Sequence, residues 1–426
     1  MKWNSRTRMG LVAVVLACVF SAFSIRLVHL QVGRHEEFAA LAAQKNSIRQ
    51  VIHATRGRIL DVRGEVLAGD RPTRTVVADG SHIQNPAALA AVAAPFLNIP
   101  ENELAKQLDT ERKYVVLQRG LPEQKAMGLI RAMREAGVRG IYFEQTAERI
   151  YPNGPMLGHV LGFLNHEQRG VQGIEMTMNE FLTGQNGFRH IERDRTGREI
   201  VVYRGLENHA RHGHDVELTI DMALQAVLEE ELDSAYREMK PRSISGVLVK
   251  PSTGEILAMA NRPHFDPNHL GTADDEAMKN RVIIDMVEPG STFKIVALSG
   301  ALNDGLVQPD TPIFCEHGRY HFGGRVLRDV HPYGTLSVHQ VMVKSSNIGA
   351  SKLAQKLGDQ RFYEYIRLFG FGERTGIDLP GEITGLVHPP HRWSKISITR
   401  IPMGHEVAVT PLQIAMATAA IANGGK

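Results

Sequence analysis

Residues 9–25 carry no charged side chain and are interrupted only by small residues and two serines, which leaves this stretch few environments in which to fold. As a helix it spans roughly 25 Å, slightly less than the ~30 Å hydrocarbon core of a bilayer. Leu27, Val28 and Leu30 lengthen it once Arg26 snorkels its guanidinium to the interface. Lys2, Arg6 and Arg8 precede it, so the positive-inside rule leaves the N-terminus in the cytoplasm and everything after Leu30 on the outer side. A cleaved signal peptide is the alternative, but no small-x-small site followed by a polar break is present. Val15-Leu16-Ala17-Cys18 has the outline of a lipid-attachment box; bulky Leu16 and the apolar residues beyond Cys18 argue against that use. The expectation is a cytoplasmic tail over residues 1–8 and a single-pass anchor over residues 9–30.

The 426 residues leave room for two or three domains beyond such an anchor. A net charge of +3, with no basic stripe interleaved with aromatics, removes nucleic acid from the classes of partner. Cys18 and Cys315 are too far apart and too few for a disulfide framework. Residues 37–45 read as a helix leaving the membrane. Residues 56–68 alternate apolar and charged positions around Gly57 and Gly64, as extended segments with turns do. Helical spacing appears around Leu129 and Met133, and frequent glycines between 154 and 187 point to loops and short strands. His209, His212 and His214 cluster, but nothing completes a ligand set, so a solvated linker is the simpler reading.

A new unit begins near Asp215. Residues 216–220 are a β-branched run, and Asp221 is placed to cap a helix with Leu224, Val227, Leu228 and Leu232 on one face. Residues 245–250 and 255–260 flank Pro251-Ser252-Thr253-Gly254, which is a hairpin signal with a four-residue loop. Helices interleaved with an antiparallel hairpin predict an α+β domain.

Glu288-Pro289-Gly290-Ser291-Thr292-Phe293-Lys294 is the sharpest feature of the chain. Pro289 and Gly290 punctuate, and an almost wholly apolar helix then runs to Leu302, ending at Asn303-Asp304 with Gly305 in the C′ position. A helix apolar all round belongs in a domain's interior. Ser291 falls in its first turn, where free N–H groups favour a developing anion, and Lys294 lies three residues on, on the same face. Burial lowers a lysine pKa, and a neutral amine beside a serine can take its proton during attack on a carbonyl. The spacing alone is weak, since Ser-x-x-Lys arises by chance roughly once in two such chains. Ser345-Ser346-Asn347 makes a polar break between expected helices over residues 338–344 and 348–357, the second closed by Gly358. Ser345 is placed to relay a proton to a leaving group, and the Asn347 amide to hold a peptide carbonyl; an ordinary helix cap is the plain alternative.

With these residues in this order, the sequence resembles the class B penicillin-binding proteins over nearly its whole length. Arg56-Gly57-Arg58-Ile59-Leu60-Asp61, Arg149-Ile150-Tyr151-Pro152, His159-Val160-Leu161-Gly162 and Gly173-Ile174-Glu175 are similar to motifs of the family's non-catalytic pedestal. Leu218-Thr219-Ile220-Asp221 and Thr253-Gly254-Glu255-Ile256-Leu257-Ala258 resemble the opening of its transpeptidase domain. The resemblance implies an α+β protein: a transmembrane helix, an elongated α/β pedestal over residues 31–214, and a penicillin-binding domain over residues 215–426 with a central antiparallel sheet. It makes Ser291 the nucleophile, Lys294 the base, Ser345 the relay and Asn347 the substrate holder. It implies stem peptides ending in D-Ala-D-Ala as substrate, β-lactams as inhibitors, and no metal or organic cofactor. It also implies a membrane-embedded glycan-polymerising glycosyltransferase and other division proteins as partners. Asn280-Arg281, Lys344-Ser345-Ser346-Asn347-Ile348-Gly349 and Gly370-Phe371-Gly372 with Thr375-Gly376 look more like the septal than the elongation branch.

Two departures stand out. No lysine here is followed by Thr-Gly or Ser-Gly, the family's third motif, and the chain stops at Lys426 where a hairpin and that motif's strand are expected. The expectation is a truncated transpeptidase domain; if the chain is whole, a non-catalytic division scaffold becomes the alternative. In addition, Glu406 in Met403-Gly404-His405-Glu406 stands where relatives commonly carry glycine. A β-lactamase would need a water-activating acid that the sequence does not place, and a carboxypeptidase would differ only in passing the acyl group to water.

Overall fold

The computed structural model of the chain describes residues 5–35, 37, 47–193, 199–202 and 207–426. They fall into two compact units, one within residues 1–54 and 185–212, the other within 55–184 and 213–426.

In the first unit the apolar run folds as the helix Ser5–Val28 and continues through a π-helical turn, His29–Gly33. The stretch Met9–Gly33 is long and apolar enough to cross a bilayer once. Leu27, Val28 and Leu30 belong to this helix, which is how it gains the length the shorter run lacked. Its large side chains point outward on every side, with Met9, Phe20 and Phe23 each about two-thirds exposed or more, as a helix surrounded by lipid requires. Lys2 and all of the expected helix over residues 37–45 except Glu37 lie outside the described residues. The unit also holds an antiparallel sheet in which Gly187–Arg193 lies between Ser47–Ile52 and Glu199–Val202.

The second unit begins with strands β1 (Ile59–Leu60) and β2 (Val66–Ala78), paired antiparallel. The turn between them is built by Asp61, whose carboxylate accepts the N–H groups of Arg63 and Glu65, both at 2.8 Å. The far half of β2 is the middle strand of a sheet with β3 (Val115–Pro122) and β4 (Ile141–Ile150). Helices α1 (Pro86–Leu97), α2 (Glu101–Leu108) and α3 (Glu123–Ala136) supply the apolar side chains that share its core. Leu89, Ala93, Leu104, Leu129 and Met133 meet Val76, Leu117, Leu121 and Ile141 there. The helical spacing around Leu129 and Met133 therefore marks a real buried face.

A buried charge cluster ties this region together. Glu175, in α4 (Gly173–Thr177), has no exposed side-chain surface and accepts from Arg56 Nε and Arg149 Nε, each at 2.7 Å. Arg149 also donates to the Gly57 carbonyl at 2.9 Å and to Asp70 at 3.1 Å. Arg56 adds the Glu175 carbonyl, Asn179 and Thr183. Three separate sequence motifs thus meet at one carboxylate.

From here the chain passes to β5 (Val216–Glu217), which pairs in parallel with β1. Asp221 caps α5 (Met222–Met239) through the Ala223 N–H at 2.9 Å, as its position predicts. The buried face of α5 differs from the expected one: Val227 is 60% exposed, whereas Gln225 and Glu229 are buried beside Leu232. Gln225 earns that place by bonding the edge of the next hairpin, accepting from Met259 N at 2.8 Å and donating to Met259 O at 3.0 Å. Glu229 pairs with buried Arg262 at 2.6 Å. The hairpin, β6 (Ile244–Val249) with β7 (Ile256–Arg262), forms antiparallel around the predicted loop. His159, drawn down to a pKa of about 4 mainly by burial, packs edge-on against Phe265 and meets the Ala277 carbonyl at 2.7 Å.

Glu175→Ala leaves two buried guanidinium groups without their common carboxylate, so it is expected to cost about 3–5 kcal/mol. A lowered denaturant midpoint measures this; a change within the range of ordinary surface substitutions would refute the cluster's structural weight.

Candidate active site

The predicted apolar helix forms as α6 (Lys294–Asn303), preceded by a 3₁₀ turn, Gly290–Phe293. Its C-terminus closes as expected, with Gly305 in the left-handed region and Leu306 N–H returning to the Ala301 carbonyl at 3.0 Å. Phe293, Val296, Ala297 and Ala301 are buried against two neighbouring core clusters, so the helix is a central one. Ser291 lies in the 3₁₀ turn rather than in the α-helix, and no side chain caps that turn. The difference matters sterically: Ser291 is exposed, while Lys294, one turn on, is 1% exposed.

Lys294 Nζ reaches three oxygens. It donates to Ser291 Oγ at 3.2 Å, to Ser345 Oγ at 2.9 Å and to the Ser345 carbonyl at 2.6 Å. Burial draws its pKa down to about 8, against the opposing pull of the Asp329 carboxylate. The structure therefore brings Ser291, Lys294 and Ser345 together from two separated stretches of sequence. Chemically this is a hydroxyl nucleophile with an amine able to be neutral near physiological pH, and a second hydroxyl bonded to that same amine.

Residues 344–346 join α7 (Val338–Val343) to α8 (Asn347–Leu357), so the expected polar break is present and Asn347 is the first residue of the second helix. Ser346, rather than Ser345 or Asn347, is the helix cap, with its Oγ accepting the Gly349 N–H at 2.9 Å. That frees Ser345 to face Lys294. Asn347 donates its amide to the Arg328 carbonyl at 3.0 Å. Asp329, which no sequence motif marked, accepts from Ser346 Oγ at 2.6 Å and from the backbone N–H groups of Asn347 and Ile348 at 2.5 and 3.0 Å. It follows the short hairpin of β8 (Arg319–Phe322) and β9 (Arg325–Arg328). Its only sequence signal is an isolated Asp after that strand, seventeen residues before its partner, which pattern reading has no means to connect.

The turn at residues 404–406 packs directly on the 3₁₀ turn that carries Ser291. A Cβ on Gly404 would lie 2.3 Å from both N and O of Gly290, so only glycine permits the approach. His405 Nδ1 lies 3.1 Å from Glu288 Oε2, both side chains being exposed. Glu406 has φ +60°, in the region that disfavours side-chain-bearing residues. This gives a physical reason for the glycine expected there. Glu406→Gly is expected to raise stability by about 0.5–1 kcal/mol, the strain relieved exceeding the entropy that glycine loses. A higher denaturant midpoint checks it; a lower one would mean the Glu406 side chain contributes more than its backbone costs.

Residues 51–218 match the penicillin-binding protein dimerisation domain, and residues 244–426 match the penicillin binding protein transpeptidase domain. The chain is 32% identical over 423 residues to the peptidoglycan D,D-transpeptidase FtsI of Escherichia coli, spanning 97% of this chain and 71% of that one. Among solved structures, penicillin binding protein 2X from Streptococcus thermophilus aligns with a TM-score of 0.72 at 29% identity, covering 89% of this chain and 60% of that one. Penicillin binding protein 3 from Mycobacterium tuberculosis, complexed with aztreonam, aligns with a TM-score of 0.65 at 27% identity, covering 88% and 66%.

Proposed function

Because the chain belongs to the class B penicillin-binding proteins, a family of peptidoglycan D,D-transpeptidases, we propose that it cross-links stem peptides during septal wall synthesis through an acyl-enzyme on Ser291. The observation that carries this reading is Lys294: buried, with a pKa near 8, and within hydrogen-bond distance of the Ser291 and Ser345 hydroxyls. In its neutral form Lys294 accepts the Ser291 proton as Oγ attacks the penultimate carbonyl of a D-Ala-D-Ala terminus. The C–N bond then breaks, and the departing D-Ala amine takes a proton passed through Ser345 from Lys294. An amine of a neighbouring stem attacks the ester, forms the new amide and regenerates Ser291. The Asn347 amide is assigned to the stem's backbone carbonyl.

The septal assignment rests on the resemblance of residues 280–281, 344–349 and 370–376 to the septal branch, beside a likeness to the Escherichia coli FtsI protein over 97% of this chain. The basic residues before the apolar helix support an extracytoplasmic catalytic site and a cytoplasmic N-terminus. A membrane-embedded glycan polymerase is the partner this arrangement calls for, since cross-linking consumes newly made strands.

Incubation of the full-length protein with a fluorescent penicillin is expected to label Ser291. Ser291→Ala abolishes the label, and Lys294→Ala slows labelling at least ~100-fold. Undiminished labelling of Ser291→Ala would sink the assignment. The labelling rate should also rise with pH and level off above a pH of about 8, because the lysine must lose its proton before it can act as base. Products formed with and without an amine acceptor separate cross-linking from simple D-Ala release.

A further inference from the structure

We propose that Asp329 is a positioning residue for acyl transfer, acting through the turn at residues 345–347 and through the negative charge it presents to Lys294. The inference rests on the reading of Ser291 as nucleophile and Lys294 as base.

The geometry starts at the first turn of α8. Backbone N–H groups there have no partner within the helix. Asp329 takes those of Asn347 and Ile348, Ser346 takes that of Gly349, and Asp329 also takes the Ser346 hydroxyl. Both carboxylate oxygens are used, so the helix start is fixed by a charged group favoured by the helix dipole. Asp329 is itself held, its N–H bonding the Gly318 carbonyl at 3.2 Å.

One residue before this clamp, Ser345 has φ +55°. A serine in that region costs on the order of 1 kcal/mol, so the surrounding structure must hold it there. The strained conformation has a use: it turns both the carbonyl and the hydroxyl of Ser345 onto Lys294 Nζ. The Arg328 carbonyl, adjacent to Asp329, receives the Asn347 amide. A single short segment, residues 328–329, therefore sets the positions of two of the four proposed site residues.

The charge acts separately. Lys294 has no carboxylate within hydrogen-bond distance among the described contacts, and Asp329 is the carboxylate whose field reaches it and favours its protonated form. Other titratable groups around the turn are the buried Cys315 thiol, which receives the Ser346 hydroxyl at 3.4 Å, and Lys352 and Glu316, which pair with each other at 2.6 Å. Arg328 and Lys344 flank the segment with exposed side chains.

Two substitutions separate clamp from charge. Asp329→Asn keeps a carbonyl oxygen for the two N–H groups and removes the charge; Asp329→Ala removes both. The rate of Ser291 labelling by a fluorescent penicillin is measured in the full-length protein from about pH 5.5 to about 9.5, with thermal melting as a check of folding. For Asp329→Asn the acid limb of the profile is expected to move to lower pH, with a high-pH rate within roughly threefold of wild type. For Asp329→Ala the limb moves the same way and the high-pH rate falls at least ~10-fold, the cost of a misplaced relay. An acid limb that stays in place in Asp329→Asn overturns the proposal, even if both variants lose activity, since a merely structural role leaves the limb unmoved. Should Asp329→Ala fail to fold, the Asp329→Asn limb alone decides. A wild type that takes no label overturns the reading of Ser291 and this inference with it; a labelled wild type with an unmoved variant limb overturns this inference alone.

Discussion

The catalytic half of this protein hangs on a carboxylate that never meets water. Glu175 lies between Arg56 and Arg149, both almost fully buried, and the three come from segments more than a hundred residues apart at the extremes. Desolvating three ions is expensive, and the cost is offset by hydrogen bonds to each charge, with Asp70, Asn179, Thr183 and two backbone carbonyls among the partners and Arg149 Nη2 alone of the cluster's guanidinium nitrogens buried without one. The Gly57 carbonyl is one of them, and Gly57 leads straight into β1, on which β5 pairs. Asp61 at the end of β1 then reaches the Met222 N–H at the start of α5. The order of the cluster thus passes, bond by bond, to the helix and hairpin that open the second half of the unit.

Two kinds of buried cation divide the labour. Arg56 and Arg149 cannot lose their protons, so burial obliges the fold to surround them with acceptors and carboxylates. Lys294 is as deeply buried but meets only hydroxyls and one carbonyl, with its nearest influential carboxylate acting from farther off. The same low-dielectric surroundings that strengthen the arginine pairs lower the lysine's proton affinity. Substituting one cation for the other at either place would reverse what the site needs.

Local patterns in the sequence were legible where the physics is local. The Asp221 cap, the hairpin around residues 251–254, the apolar helix closed by Gly305 and the break at residues 345–347 each depend on neighbours within a few positions. The spacing of Ser291 and Lys294 was visible for the same reason. Position along the chain could not show that Glu175 joins Arg56 to Arg149, because each looks like an ordinary surface charge until the fold closes. It also misjudged α5, where Gln225 is buried for its bonds to a strand edge and Val227 is left outside. Asp329 escaped altogether. Its importance comes from partners across a hairpin and a helix start, and a lone aspartate carries no periodicity.

The placement of Lys294 also bears on the life of the chain before it is fully folded. Ser291 and Lys294 are neighbours in any nascent helix, but the burial that lowers the lysine's pKa arises only when distant segments close over it. In a partly folded chain the amine is solvated, keeps the ordinary lysine pKa near ~10.4 and stays protonated at neutral pH. The serine beside it is then no more reactive than any other hydroxyl. With Lys294 as the proposed base, reactivity is latent in the local sequence and is switched on by the completion of the core, so a chain still folding presents no activated serine to itself or its neighbours.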